Sequence, residues 1–211
     1  MPPDEHFIPP HGGFEKLRSY QKALIVFDAT VYFCRQHLPA RGDRTVDQMV
    51  QAARSGKQNI VEGSQVSGTS KEMEIKLTSV ARASLEELAE DYRDFLRNHD
   101  SGEWEPTHLY AKRLRVLNRT PNASYETFKK GIEHPDATIS ANVILGLTRV
   151  TCYLLDRQLA GLERDFLKSG GLRERMTQAR LQERERQRRE QRLKDIKDER
   201  EKFRRKRPPP K

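Results

Sequence analysis

Between Ser70 and His99, apolar side chains recur in steps of three and four: Met73, Leu77, Val80, Ala81, Leu85, Leu88, Tyr92 and Phe95. Glu86, Glu87, Glu90, Asp91 and Asp94 fall on the opposite face. A stripe at that spacing is collected on one side only by an α-helix, and Ser70 is a residue type that caps helix N-termini. Three further segments repeat the pattern. The first is Leu17, Tyr20, Leu24, Phe27, Val31, Cys34 and Leu38, ending before Pro39. The second is Val46, Met49, Val50, Ala53 and Ile60, entered through Asp43 and stopped by Gly63. The last is Ile139, Val143, Leu147, Val150, Leu154, Leu162 and Phe166, running from Thr138 to the Gly170–Gly171 pair. Nothing alternates apolar and polar long enough to argue a strand. The expectation is an all-α chain, an up-and-down four-helix bundle in which each helix buries its neighbours' stripes.

Details refine that expectation. Ile25, Val26, Tyr32 and Phe33 lie off the first stripe, so that helix is apolar over more than one face and predicts a subunit interface. Gly56 weakens the second helix by about 1 kcal/mol relative to Ala, which points to a local bend or a close helix contact. Residues 101–136 carry Gly102, Pro106, Pro121 and Pro135 around a short helical stretch at Thr107–Leu117, and read as an inserted connection. The resulting division is a disordered leader at 1–13, a bundle at 14–170 and a tail at 171–211. A bundle of that length can bury a sizeable core.

Charge is divided along the same line. Of 40 Lys/Arg and 31 Asp/Glu, 17 and 8 fall in Gly171–Lys211, leaving 23 of each sign in the rest of the chain. A polycationic tail of net +9 therefore extends from an electroneutral body. Leu172–Arg207 contains neither Gly nor Pro, and its 36 residues would reach about 54 Å as one helix. Glu185/Arg189, Glu190/Lys194, Asp198/Lys202 and Glu201/Arg205 are acid-before-base pairs at i, i+4 that support it. Its apolar positions Leu172, Met176, Ala179, Leu193, Ile196 and Phe203 are too gapped for a self-sufficient coiled coil. No stretch reads as long and apolar enough to span a membrane, and the start does not read as a secretion signal. Cys34 and Cys152 sit in helical stripes without partners at metal-ligand spacing, which suits buried thiols in a reducing, cytoplasmic setting.

Asp47-Gln48-Met49, then Ala52-Ala53-Arg54-Ser55, then Asn59-Ile60-Val61-Glu62-Gly63, then Ser70-Lys71-Glu72 opening the clearest helix, form an ordered series. This order resembles the four-helix-bundle family whose founding members are encoded in intervening sequences of bacterial 23S ribosomal RNA genes. The resemblance covers Leu17–His99, with Thr138–Phe166 as a less specific fourth helix. It implies a homopentameric ring, and kinship with the accessory protein of diversity-generating retroelements, which binds nucleic acid and a reverse transcriptase. The chain departs from the pattern at Gly56-Lys57, where many members have an apolar residue and proline. It departs again in carrying its positive charge on a tail and not on the bundle.

The densest cations are Arg184, Arg186, Arg188, Arg189, Arg192, Lys194, Arg204, Arg205, Lys206 and Arg207. A guanidinium donates two parallel hydrogen bonds to a phosphate, so these are candidate nucleic-acid contacts. Charge runs are also simply solvated helices, and that reading stays open. With Phe203 as the only aromatic among them, contact would be with the backbone and blind to sequence. Lys112, Arg113, Arg115 and Arg119 on the connection extend the same surface. The expected partner is nucleic acid, RNA by the resemblance, with docking on a protein such as a reverse transcriptase as the alternative. Asn59, Glu62 and Gly63 are either a functional group or a structural motif in which Asn59 satisfies backbone groups and Glu62 shapes a turn.

Catalytic and metal signatures are weak. A di-iron bundle needs two inward Glu-x-x-His motifs, and only Glu105-Pro-Thr-His108 has the spacing. His6, His11, His37, His99, His108 and His134 are scattered and read as surface residues. Neither a phosphate loop nor a nucleophile elbow is present. The expectation is a non-catalytic protein with no cofactor and no metal.

Overall fold

A computed structural model describes residue 8, residues 10–38 and residues 44–205, the last three in backbone only. Every regular element among them is helical. The helices are α1 (Arg18–His37), α2 (Arg44–Val66), α3 (Lys71–Asn98), α4 (Leu109–Asn118), α5 (Tyr125–Ile132), α6 (Ala137–Ser169) and α7 (Leu172–Arg205), preceded by a single 3₁₀ turn at Phe14–Lys16. Contacts run α1 to α2, α2 to α3, α3 to α6 and α6 back to α1, with α4 and α5 laid on α6 and α5 also touching α1.

Local chemistry starts and stops these elements. Ser70 Oγ accepts from Met73 N at 3.1 Å, and Asp136 Oδ1 accepts from Thr138 N at 2.8 Å, each satisfying an N–H that a helix start leaves unpaired. Gly170, at φ +64°, closes α6 by donating its N–H to Phe166 O at 2.8 Å. Small residues let the helices approach. Ala23, Ala29, Ala53, Ala81 and Ala141 are fully buried, and Phe33, Tyr92, Leu85 and Leu88 fill the space between. Phe33 meets Tyr92 and Phe95 edge-on, with centroids 5.2 and 4.9 Å away. The buried Tyr92 hydroxyl donates to Thr30 Oγ1 at 3.1 Å, so the largest polar group of the core is satisfied.

Several sequence expectations change. On α1 the buried face is Ser19, Lys22, Ala23, Ile25, Val26, Ala29, Thr30, Phe33 and Cys34, and Leu24 is 36% exposed. Ile25, Val26 and Phe33 therefore belong to the internal core, because α1 is contacted by α2, α5 and α6 on different sides, and they no longer argue a subunit interface. Met73 and Val80 are about half exposed, so the buried stripe of α3 is carried by Thr78, Ala81, Leu85, Leu88, Ala89, Tyr92, Phe95 and Leu96. Phe166 on α6 is also exposed. Gly63 does not stop α2, which continues to Val66; it is buried against α3, where an added Cβ would lie at ordinary contact distance, 3.4 Å from Leu77 Cβ. Gly56 is the glycine that close packing requires, with Leu85 Cγ at 2.6 Å from an added Cβ. The proposed Asp43 cap lies outside the described residues.

The end of the leader is docked and not loose: Gly12 N donates to Ser64 O at 2.9 Å, and His11 packs on Gly68. Its earlier residues lie outside the described ones, apart from residues 8 and 10. The connection holds two helices where the sequence suggested one, α4 beginning two residues later than expected. By length and composition alone, and contrary to the sequence reading, α6 is apolar enough to cross a membrane, and 61% of its apolar window is buried inside the structure.

Candidate nucleic-acid interface

The helix α7 leaves the body at the Gly170–Gly171 corner, where Glu174 Oε2 accepts from Gly171 N at 3.0 Å. Beyond Ala179 its described side chains are exposed, apart from a half-buried Glu183. Arg184, Arg188, Arg189, Arg192 and Lys194 have no carboxylate within 4 Å among the described residues. Arg184 and Arg188, one turn apart, line a shallow groove with Gln187 and Gln191. Arg186 is different, because it pairs with Glu183 at 3.0 Å and with Glu190 at 3.7 Å. The expected Glu185/Arg189, Glu190/Lys194 and Asp198/Lys202 pairs do not close within 4 Å. The side chains of Phe203, Arg204 and Arg205 are not described, so the Glu201/Arg205 pair, together with Lys206 and Arg207, lies outside the described residues.

The second group of cations sits on α4 and its C-cap, Arg119. Lys112, Arg113, Arg115 and Arg119 are all exposed, and Arg115 Nη2 donates to Pro106 O. The helix is fixed to α6 by Leu114, whose Cδ2 occupies the space a Cβ on Gly146 would need, 2.5 Å away. Gly131 of α5 likewise receives Val143 of α6, with Cγ2 2.9 Å from an added Cβ. Between α4, α5 and α6 these contacts leave a cleft of about 410 Å³ whose walls include Trp104, Tyr110, Leu117, Phe128 and Ile139. Arg113, Lys130 and His134 also border it.

The loop carrying Trp104 is clamped by residues the sequence reading did not single out. Buried Asn142 accepts from Trp104 N at 2.8 Å and donates to Gly102 O and Thr138 O, both at 3.1 Å. Glu103 meets Arg149 at 2.6 Å and Arg93 at 3.5 Å. Trp104 then stacks on His108, with centroids 5.0 Å apart and planes at 15°, and lies 5.3 Å from Tyr110. An Asn on the inward face of a long apolar helix, facing a loop with one Trp, was the available signal.

Within the Asn59-Ile60-Val61-Glu62-Gly63 motif, Ile60 and Gly63 are buried and Asn59 and Val61 half-buried. Asn59 Nδ2 donates to Ser55 O at 2.9 Å and to Ser55 Oγ at 3.1 Å, and Ser55 Oγ lies 3.0 Å from Ser84 Oγ on α3. Glu62 is exposed. Two histidines read as surface groups are partly buried: His37, whose Nε2 has no partner, and His134 at the cleft. No disulfide joins Cys34 to Cys152, and burial pushes the Cys152 thiol up to about 11. Among the described residues no group of three or more His, Cys, Asp or Glu is placed to hold a metal ion. No family model, curated protein or solved structure matches the chain.

Proposed function

We propose that this chain is a non-catalytic, oligomeric, up-and-down four-helix bundle that binds nucleic acid through the cations of α7. The observation that carries the reading is the run Arg184, Arg188, Arg189, Arg192 and Lys194, exposed and unpaired on a helix that extends from an electroneutral body. No described carboxylate closes an ion pair on these groups, so their N–H donors are open to phosphate. The closed circuit of contacts through α1, α2, α3 and α6 supports the bundle. The resemblance of the second and third helices supports a pentamer and favours RNA over DNA. In a ring, weak contacts from several +9 tails add through effective concentration.

Association with a single-stranded RNA, measured against salt, tests this. The logarithm of affinity falls with the logarithm of salt by about 0.7 per phosphate neutralised, so five contacts give a slope near −3.5. Replacing the five cations with Gln flattens the slope and weakens binding; salt-independent binding, or an unchanged slope in that variant, refutes the reading.

A second reading rests on Met176, Leu181, Leu193 and Ile196, apolar side chains about half exposed on α7. In it the helix docks on a protein, such as a polymerase of the reverse-transcriptase type. A nuclease-resistant partner lost on Leu193→Ala with Ile196→Ala, and kept when the arginines are replaced, selects it.

A further inference from the structure

We propose that the cleft between α4, α5 and α6 receives an unpaired base of a single-stranded nucleic acid, with the flanking phosphates held by Arg113 and Lys130. This rests on the nucleic-acid reading above and adds to it a class of ligand, because α7 alone contacts phosphates and has no means of distinguishing a single strand from a duplex.

Three observations favour that occupant. The first is shape: about 410 Å³ lies within the range of pockets that enclose small planar ligands, and its walls combine aromatic rings with Leu114, Leu117 and Ile139. Trp104 and the 44% exposed Tyr110 are rings of the kind on which bases stack. The second is charge. Arg113 and Lys130 border the cleft, whereas Lys112, Arg115 and Arg119 lie on the other face of the α4 segment. The one carboxylate at the cleft, Glu126, is offset by Lys129 at 3.2 Å. A basic rim around an aromatic floor is complementary to a chain of phosphates carrying bases and to little else of that form. The third is preorganisation. Asn142, the Glu103 ion pairs and the Leu114–Gly146 contact hold the walls before any ligand arrives, so little ordering is lost on binding. His134 Nδ1 accepts from Asp136 N at 3.0 Å, which leaves Nε2–H as the donor it can offer to a base.

Trp104 is the only tryptophan in the chain, so its emission reports on the cleft directly. The full-length protein is titrated at low salt with a short oligouridylate and with a duplex RNA of equal length. Binding is read in parallel from a label on the RNA. The expected result is saturable quenching by the single strand and none by the duplex. Tyr110→Ala combined with Arg113→Gln weakens single-strand binding roughly fivefold or more, the loss of a stacked base, while duplex binding and the thermal midpoint stay unchanged. Replacing Arg184, Arg188 and Arg192 with Gln weakens both ligands. Equal affinity for the two with unaltered emission overturns the cleft assignment and leaves α7 standing. Quenching by uridine monophosphate at the same concentration as the oligonucleotide assigns the cleft to a free small anion and overturns the strand. Failure to bind either RNA overturns both readings.

Discussion

Lys22 and Asp91 are ionisable side chains held away from water, and they make stability depend on pH with opposite signs. Lys22 is 6% exposed, its Nζ lies 4.5 Å from the centroid of Phe128, and it has no hydrogen-bond partner. Burial, reinforced by Arg18, depresses it from 10.5 to about 8. The unfolded chain thus keeps a proton that the folded one has released, and stability rises between about pH 8 and pH 10.5. Lys22→Met is expected to stabilise the protein by about 2 kcal/mol at pH 7, less the small cation–π term, with the gain shrinking as pH rises above about 8. Asp91 behaves inversely, because burial first, then Glu87 and Asp94, raises it from 3.8 to about 6. Here the folded state holds the extra proton, so stability present below pH 4 is lost as pH rises through 6. Asp91→Asn is expected to raise the urea midpoint at pH 7 and leave it unchanged at pH 4. An equal effect at both values would show that solvent reaches the carboxylate.

At the scale of helices, the α2–α3 contact turns on Gly56. An alanine there improves helix propensity by about 1 kcal/mol, yet its Cβ meets fully buried Leu85 at 2.6 Å. Overpacking of this kind costs about 1–3 kcal/mol, so Gly56→Ala is expected to destabilise on balance, and a urea midpoint above wild type would contradict the packing. The sequence showed α3 through its unbroken stripe and its Ser70 cap, because both signals are local. The face of α1 was harder to place. A template of large apolar residues selects Leu17, Leu24 and Val31, whereas the helix buries Ser19, Lys22, Ala23 and Thr30, small or polar residues that matter only because three neighbours close in around them. α5 escaped notice because eight residues between Pro121 and Pro135, with Gly131 inside, are too few to show a period. The cations of α7 were legible, since exposed arginines advertise themselves. The cleft was not, because Trp104, Lys130 and Asn142 come from elements that meet only in space.

At the scale of the whole molecule, a compact helical body contrasts with a 34-residue helix that would be about 51 Å long and buries little of itself. Isolated helices are marginal, so α7 is expected to exchange its amide hydrogens far faster than the buried half of α6, and to gain protection when RNA is added. Protection equal to that of α6 in the free protein would mean that α7 has a packing partner. The corner between the two helices carries a consequence of its own. Gly170 sits at positive φ with Glu174 Cβ 3.2 Å from where its own Cβ would be, so the backbone at this corner sets the direction in which the helix that follows departs. One alanine inserted after Gly171 would turn every later residue by about 100° around the helix axis without touching the core. The bearing of the arginine groove is thus a dial that can be reset in steps, offering a way to ask whether the arm and the cleft must face the same strand.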